Sequence, residues 1–325
     1  MAILGPTVVS ITAAADVLNG TANTTEVTFT FSEAVNGFDM DDVVIPGNAG
    51  YVSDFASDDG VVWTAVFHAA PGFDGAVTLS VTDGYKNSNF EDGHAGGSLD
   101  LTIDQTAPTV IVELDSSAFS NNNPTSQVTV TLSEASPDFD ASFIVVTGGT
   151  IDGLTASDDG LTYIGTVTAN ANSTTPVSVS VAAGRFTDAA GNANAATISA
   201  SDTATVDTIN PTVSSISAEL SDLNATFNTT EVTFTFSEAV TGFTASDVSI
   251  LNNRGTMGDV TSSDGGTTWK GTFTANAGVV GGAMLSVTGA YTDSALNPGS
   301  DGAMLGSGLN QHQKAMTAAS ATAEA

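Results

Sequence analysis

The amino-acid sequence carries the same segment three times. Thr25–Val35 (TEVTFTFSEAV) returns as Ser126–Ser136 (SQVTVTLSEAS) and again as Thr230–Val240 (TEVTFTFSEAV). The spacing of roughly 100 residues is too long for one turn of a solenoid and matches a whole small domain. The sequence therefore predicts a tandem array of domains, with boundaries at 1–104, 105–207 and 208–300.

Apolar and polar residues alternate within each copy. In Val27–Phe31 the odd-numbered side chains are apolar and the even-numbered ones polar, the pattern of a half-buried β-strand. About seven such segments occur in the first repeat, near 7–11, 26–31, 42–45, 51–55, 62–67, 76–81 and 99–103. Seven short strands without a helical pattern predict an all-β fold of three tandem immunoglobulin-like antiparallel β-sandwiches. The side chains predicted to point inward are those of Phe29, Phe31, Val130, Leu132, Phe234 and Phe236.

The charge is strongly one-sided, with 36 Asp and Glu against 5 Lys and Arg and a net charge of −31. Nucleic acids and anionic membranes require clustered cations, so neither is expected as a partner. No apolar run is long enough for membrane insertion. The chain has no cysteine, so metal ions rather than disulfides are the expected crosslinks, and divalent cations are the natural counter-charge.

The third repeat ends differently from the first two. Its last recognisable motif is Tyr291–Asp293, and the following segment, 299–325, is rich in Gly, Ala, Ser and Thr. Residues 301–325 are therefore predicted to form an irregular tail. A missing seventh strand would leave a sheet edge open, and an open edge invites pairing with another chain.

Several separated motifs recur in order along the repeats. They are represented by Ser32–Asp42 (S-E-A-V-x-G-F-x-x-x-D), Ser57–Gly60 with an aromatic residue after it, Phe186–Asn192 (F-T-D-A-A-G-N) and Asp207–Thr212 (D-T-x-x-P-T). This combination resembles the bacterial Ig-like repeats of large surface adhesins, the biofilm-associated and type I secreted proteins. The resemblance implies an extracellular stalk stiffened by calcium at domain junctions, with ligand binding carried by other modules, so the surface ligand remains unknown.

Topology indicates where the acidic residues should meet. We label the seven predicted strands of a domain A to G. The linker that enters the domain then lies at the same pole as the B–C loop, the F–G loop and the glutamate that closes strand B. Carboxylate and amide oxygens would converge there, and calcium takes six to eight oxygen ligands. We therefore expect calcium near Asp104 with Glu134, Asp188 and Asn192, and near Asp207 with Glu238, Asp247 and Asp293. Glu33 and Asp42 are the corresponding candidates in the first repeat.

Other residues have simpler interpretations. Asp and Asn also populate loops because they cap turns, and this is the expected role of the Asp-Asp-Gly turns. Trp63, Tyr163 and Trp269 follow these turns on strand E, where a packed aromatic is expected and carbohydrate stacking is the alternative. Two departures from the repeated motifs predict that the candidate metal sites of the three domains differ in affinity or geometry. Phe143 replaces the aspartate of the B–C loop in the second repeat, and the first repeat has 89–94 (NFEDGH) in its F–G loop.

No pattern in the sequence indicates catalysis, because His68, His94 and His312 lack zinc-ligand or triad spacings. The sequence favours a structural spacer of an extracellular bacterial adhesin, with the other Ig-like modules of the chain, or neighbouring subunits, as partners. A subunit of an extracellular filament or surface layer that assembles by strand pairing is one alternative, and a carbohydrate-binding module is another.

Overall fold

The computed structural model describes residues 5–196 and 201–312 of the 325-residue chain. Within those ranges the chain forms 27 β-strands and five short 3₁₀ helices, and no α-helix. None of the described helices has the length and apolar character that a membrane crossing requires. The strands form three sandwiches of two facing sheets each, so the predicted all-β, immunoglobulin-like fold is confirmed.

Domain 1 places four strands in each of its two main sheets, in the orders β1-β3-β7-β6 and β2-β10-β8-β5, and β4 pairs with β9. Two 3₁₀ helices, Met40–Asp42 and Pro46–Asn48, flank β5. The strands are β1 (Val8–Ala13), β2 (Val17–Asn19), β3 (Thr24–Phe31), β4 (Val35–Asn36), β5 (Val43–Val44), β6 (Gly50–Ala56), β7 (Val62–Ala69), β8 (Gly75–Val81), β9 (Lys86–Asn87) and β10 (Gly96–Asp104).

Domain 2 repeats the arrangement with the orders β11-β13-β16-β15 and β12-β18-β17-β14. The 3₁₀ helix Ala141–Phe143 precedes β14. The strands are β11 (Val110–Leu114), β12 (Ala118–Ser120), β13 (Thr125–Leu132), β14 (Ile144–Thr147), β15 (Gly149–Ala156), β16 (Thr162–Ala169), β17 (Val177–Val181) and β18 (Ser201–Asp207).

Domain 3 has the orders β19-β21-β25-β23, with β24 also pairing β25, and β20-β27-β26-β22. Its 3₁₀ helices are Ala245–Asp247 and Leu251–Asn253. The strands are β19 (Val213–Ala218), β20 (Asp222–Leu223), β21 (Thr229–Phe236), β22 (Val248–Ile250), β23 (Gly255–Met257), β24 (Thr261–Ser262), β25 (Thr268–Ala275), β26 (Val280–Val287) and β27 (Gly302–His312).

The first segment of every domain crosses from one sheet to the other. In domain 1, β1 pairs antiparallel with β3, and β2 then pairs parallel with the last strand, β10. Leu18 lies opposite Ile103 and Asn19 opposite Asp104, so the turn after β2 and the linker after β10 leave the domain at the same pole. Domains 2 and 3 cross in the same way. This crossing brings the turn after the second strand to the junction with the next domain.

The alternating apolar residues form the core of each sandwich. All six side chains that were predicted to point inward are buried, none more than 2% exposed. In domain 1, Phe38 makes edge-to-face contacts with Phe29 and Phe31, at centroid distances of 5.0 and 4.9 Å. Phe243 makes the equivalent contacts in domain 3. Burial of such rings removes large apolar areas from water and dominates the stability of a domain of this size.

The prediction of an irregular tail is wrong for residues 302–312. These residues form β27, which pairs antiparallel with β26 and parallel with β20 and completes the second sheet of domain 3. The sequence hides this strand because Gln311 takes the inward position that Ile103 holds in domain 1, so the apolar alternation is broken. Its Nε2 donates to the backbone oxygen of Arg254 at 3.1 Å. The expected open edge is therefore occupied, whereas the rest of the predicted tail, 313–325, lies outside the described residues.

Candidate metal centres at the domain junctions

Three carboxylates meet at each of the two junctions between domains. Asp104, Glu134 and Asp188 form the first group, and Asp207, Glu238 and Asp293 form the second. In each group the candidate ligand oxygens lie within 4.8 Å of one another. The first member ends the last strand of the preceding domain, the second follows the B strand of the next domain, and the third lies in that domain's F–G loop. Each junction is thus assembled from residues of two domains.

The linker aspartates are held by their own turns. Asp104 Oδ1 accepts a hydrogen bond from the Thr106 amide at 3.1 Å, and Asp207 Oδ1 accepts one from the Ile209 amide at 3.2 Å. Aspartate commonly bonds a backbone amide two residues on in such turns. Each carboxylate keeps a second oxygen, so the turn orients the side chain and leaves an oxygen for a cation.

The F–G aspartates are buried and fixed by an asparagine four residues later. Asp188 is 2% exposed and accepts hydrogen bonds from the amide and the Nδ2 of Asn192, both at 2.8 Å. Asp293 is 1% exposed and accepts the same two bonds from Asn297 at 2.9 and 2.8 Å. We call these pairs, within 188–192 and 293–297, the Asp-Asn loops. A buried carboxylate held this firmly is a pre-oriented ligand.

The same asparagines connect one domain to the next. Asn192 Nδ2 donates to the backbone oxygen of Asp104 at 2.8 Å, and its Oδ1 accepts from the Gly20 amide at 2.7 Å. Asn297 Nδ2 donates to the Asp207 oxygen at 2.9 Å, and its Oδ1 accepts from the Asn121 amide at 2.6 Å. Sequence reasoning missed Asn297, although its spacing from Asp293 matches that of Asn192 from Asp188.

The electrostatics of both junctions disfavour three free negative charges. Burial raises the pKa of the Glu134 carboxyl, and the charges of Asp188 and Asp104 raise it further. Burial likewise raises the pKa of Glu238, with Asp293 and Asp207 adding to the effect. Asp74, which sequence reasoning also missed, adds to the negative potential at the first junction. The ion pairs found among the described residues, Lys86–Asp92 and Lys270–Glu231, involve none of the six junction carboxylates.

The donor set fits a hard divalent cation. Every candidate ligand is an oxygen, and carboxylate oxygens suit calcium or magnesium rather than zinc or copper. The remaining ligands of a calcium ion would come from backbone oxygens and water. The three-carboxylate groups, with their raised glutamate pKa values, supply the negative potential that such an ion would neutralise.

Three of the predicted acidic ligands, Glu33, Asp42 and Asp247, lie outside these groups. Asp42 closes a capping box in the 3₁₀ helix Met40–Asp42, where its Oδ2 accepts from the Asp39 amide at 3.1 Å. Asp247 does the same in the third domain, accepting from the Thr244 amide at 2.7 Å. Burial raises the pKa of Asp42. Phe143 holds this position in domain 2, where it packs against the core.

The pole of domain 1 differs from the two junctions. Glu33 accepts a hydrogen bond from Asn87 Nδ2 at 3.3 Å, and the same nitrogen donates to Glu91 Oε2 at 2.8 Å. Asn87 stands where the other domains have Asp188 and Asp293. The side-chain amide of Asn87 therefore lies between two glutamates, in the position that a buried aspartate occupies in the junction groups.

The Asp-Asp-Gly turns and the aromatic residues after them have structural roles. Asp59 Oδ1 accepts from the amides of Val61 and Val62 at 2.8 and 2.9 Å, which caps the turn. The indole nitrogens of Trp63 and Trp269 donate to backbone oxygens in their turns, at 3.0 and 2.9 Å. Both indoles are partly buried against the core. The carbohydrate-binding alternative required exposed indoles, so it has no support at these positions.

Several solved structures are similar to this chain over most of its length. Invasin, a bacterial integrin-binding protein, is 15% identical over 85% of this chain and 56% of that chain, with a TM-score of 0.34. InvD of Yersinia pseudotuberculosis is 14% identical over 94% of this chain and 98% of that chain, with a TM-score of 0.33. Domains 1–6 of the surface layer protein SbsC are 13% identical over 90% of this chain and 53% of that chain, with a TM-score of 0.23. The present chain thus spans about half the length of invasin and of the SbsC fragment.

No curated protein shows significant similarity to the chain. The family model for the bacterial Ig-like domain, in contrast, matches it three times, at residues 4–101, 104–206 and 207–310. These matches coincide with the three sandwiches, and the third one includes most of β27. The chain belongs to the bacterial Ig-like domain family, with one family module in each sandwich.

Proposed function

We propose that this chain is a non-enzymatic spacer segment of an extracellular bacterial adhesin, and that calcium at the domain junctions makes it rigid. The observation that carries the proposal is the recurrence of the same three-carboxylate group at both junctions. Turn capping alone does not explain why residues from two domains bring acidic oxygens together twice. Membership in the bacterial Ig-like domain family, matched in all three sandwiches, supports an extracellular, structural role.

The mechanism is electrostatic. Two unit charges within 4.8 Å repel by roughly 3 kcal/mol at an effective dielectric constant of about 20, and partial exposure of the glutamates reduces this figure. Without a cation, the repulsion between the linker aspartate and the two carboxylates of the next domain favours separation of the domains. A bound cation would reverse the sign of the interaction and fix the angle between them.

The proposal is tested by calcium titration of the full chain and of two charge-removing variants. We expect calorimetry to detect two sites in the wild type, and one site each in Glu134→Gln and Glu238→Gln. Because the metal binds the folded state, a hundredfold excess of calcium over the dissociation constant should stabilise each site by about 2.7 kcal/mol.

Matched controls are available in the same domains. Glu113→Gln and Glu219→Gln each remove one exposed carboxylate outside the junction groups, so calcium binding should be unchanged. If calcium gives no binding heat and does not change the melting curve of the wild type, the calcium part of the proposal is wrong. Equal losses in the junction and control variants would indicate a general charge effect instead.

The strand-pairing alternative loses its main support from the fold. It depended on an open edge in domain 3, and β27 occupies that edge by pairing with both β26 and β20. A spacer role requires no open edge. The sandwich fold and the two acidic junctions therefore favour the spacer.

A further inference from the structure

The first junction contains an Asn-Gly pair, Asn19-Gly20, in the turn that follows β2. The second junction lacks such a pair, because Ser120 and Asn121 stand at the corresponding positions. In an Asn-Gly pair the glycine nitrogen can attack the side-chain carbonyl of the asparagine, and it is the least hindered backbone nitrogen for this reaction since glycine has no Cβ. The two junctions therefore differ in chemical reactivity.

Domain 2 restrains both reacting groups while the first junction is closed. The Gly20 amide donates to Asn192 Oδ1 at 2.7 Å, and Asn19 Nδ2 donates to the Ala190 oxygen at 2.8 Å. An attack on the side chain requires the Gly20 nitrogen to lose its proton and to turn towards Asn19 Cγ. A hydrogen bond from this N–H to a buried acceptor opposes both changes, and Asn192 is 6% exposed.

The turn of domain 1, in contrast, favours the reaction. Asn19 Oδ1 accepts hydrogen bonds from the amide and the hydroxyl of Thr21 at 2.9 and 3.0 Å, and from the Ala22 amide at 2.7 Å. Donors aimed at a carbonyl oxygen polarise its carbon and stabilise the negative charge that develops on the oxygen during a nucleophilic attack. All three donors belong to domain 1. Opening of the junction therefore releases the nucleophile and keeps the carbonyl activated.

We propose that Asn19 is a site of intramolecular deamidation, and that closure of the first junction protects it. In the open junction the Gly20 nitrogen forms a bond to Asn19 Cγ, the Cγ–Nδ2 bond breaks, and ammonia leaves with the proton of the glycine amide. The product is a five-membered succinimide ring. Solvent water then adds to one of the two ring carbonyls and opens the ring, which leaves aspartate or isoaspartate at position 19.

The modification makes the opening of the junction permanent. Asn19 lies opposite Asp104 in the parallel ladder of β2 and β10, so the new carboxylate lies beside the first junction group. It has no hydrogen to donate to the Ala190 oxygen, and these two acceptors repel each other. It also adds a fourth negative charge to those of Asp104, Glu134 and Asp188. A junction that has been open long enough for the reaction therefore does not close again.

The rate of modification is measured by peptide mapping with mass spectrometry after incubation of the full chain in chelator at weakly basic pH. Chelator keeps the test independent of the proposed calcium sites. Asn192→Ala should raise the rate at Asn19 about tenfold, because both hydrogen bonds between Asn192 and domain 1 are lost. If this variant does not fold, Asn192→Ser takes its place, since its hydroxyl keeps a donor for Asp188 and is too short to reach the Gly20 amide.

Two matched controls lie in the same chain. Asn194→Ala removes another buried asparagine of domain 2, whose side chain bonds only backbone groups of its own domain. It should leave the rate at Asn19 unchanged. The other Asn-Gly pair of the chain, Asn36-Gly37, is exposed and lies in a different turn of domain 1, so its rate reports the solution conditions and should be the same in every variant.

The effect on the junction is measured with a variant that copies one product. Asn19→Asp should give a wider distribution of interdomain distances in small-angle scattering than the wild type, both in chelator. Asn36→Asp adds the same charge away from the junction and should give the distribution of the wild type. Circular dichroism melting of each variant verifies that the domains remain folded.

The proposal is overturned if Asn192→Ala modifies Asn19 at the rate of the wild type, or if Asn194→Ala accelerates the reaction equally. Equal rises at Asn19 and Asn36 would assign the effect to a general loosening of domain 1 and overturn the protection by the junction. Aspartate without isoaspartate at position 19 would exclude the attack by Gly20. If Asn19→Asp scatters like the wild type, the modification does not keep the junction open.

Discussion

Asn192 and Asn297 show how one side chain can define a junction between domains. Each amide group bonds the aspartate of its own loop, the backbone oxygen of the incoming linker and an amide of the preceding domain. Both residues are buried, so the groups they bond are removed from water. Loss of such a side chain leaves buried polar groups without partners, which is more costly than loss of an exposed hydrogen bond.

We therefore expect Asn297→Ala to destabilise domain 3 and its junction by about 2 kcal/mol. Asn276→Ala is the matched control, because its Nδ2 makes one bond, to the Asn253 oxygen in an exposed loop. Denaturant unfolding followed by tryptophan fluorescence would measure both. Equal effects of the two substitutions would contradict the role assigned to Asn297.

The junction glutamates should make stability depend on pH in the absence of metal. The pKa values of Glu134 and Glu238 are raised in the folded state, so the folded protein binds protons more readily than the unfolded chain. This contribution to stability is fully present below the unfolded pKa of about 4.5 and is lost as the pH rises through the folded pKa. In chelator, the protein should become more stable as the pH falls from 7 to 5.

The measurement is denaturant unfolding at several pH values between 5 and 7. The double variant Glu134→Gln, Glu238→Gln should lose the part of the pH dependence that these two glutamates cause, whereas Asp42, whose pKa burial also raises, keeps its own contribution. Aspartates whose pKa values are lowered by hydrogen bonds, such as Asp59 and Asp159, titrate below it and do not interfere. If the wild type in chelator becomes less stable as the pH falls from 7 to 5, the junction carboxylates do not dominate the pH dependence of its stability.

At the scale of elements, β27 decides whether domain 3 is a complete sandwich. It lies between β20 and β26 and takes the place that β10 and β18 take in the other domains. Leu309 in this strand is fully buried in the core of domain 3. The pairing supplies partners for backbone groups of β26 that would otherwise form an edge.

Leu309→Ala should therefore destabilise domain 3 by about 2–5 kcal/mol, the usual cost of such a truncation in a core. Leu251→Ala removes the same atoms from an exposed position and should change stability by less than about 0.5 kcal/mol. Hydrogen exchange should show the β27 amides protected to the same degree as those of β10. Fast exchange along β27, or a negligible effect of Leu309→Ala, would contradict its role as the closing strand.

At the scale of the whole molecule, the two junctions combine two kinds of contact. The asparagine bonds join one domain to the next, and in the proposed mechanism the carboxylates would oppose that contact until a cation is bound. Small-angle scattering should thus give a narrower distribution of interdomain distances in calcium than in chelator. Glu134→Gln should narrow the chelator distribution towards the calcium one, since one repelling charge is removed. If scattering is identical in calcium and chelator, the junctions are rigid without metal.

The sequence by itself determined the number of domains, the fold class and the location of the acidic residues. The repeats and the alternation around Phe29 and Phe31 are local signals, since side chains in a strand point alternately to its two faces. The convergence of Asp104, Glu134 and Asp188 followed from counting strands. Successive antiparallel strands alternate in direction, so every second connection lies at the same pole of the domain. These inferences needed no knowledge of individual contacts.

Tertiary structure alone decided which residues act together. Asp42 and Asp247 looked equivalent to the junction acids in the sequence, but the 3₁₀ helices use them as caps. The last strand, β27, escaped prediction because a buried glutamine replaces an apolar residue, and its Nε2 donates to a backbone oxygen distant in sequence. The crossing of the first segment between sheets brings the turn at Gly20 to Asn192, a contact between two domains. Such contacts depend on the position of a second chain segment in space, which local pattern does not encode.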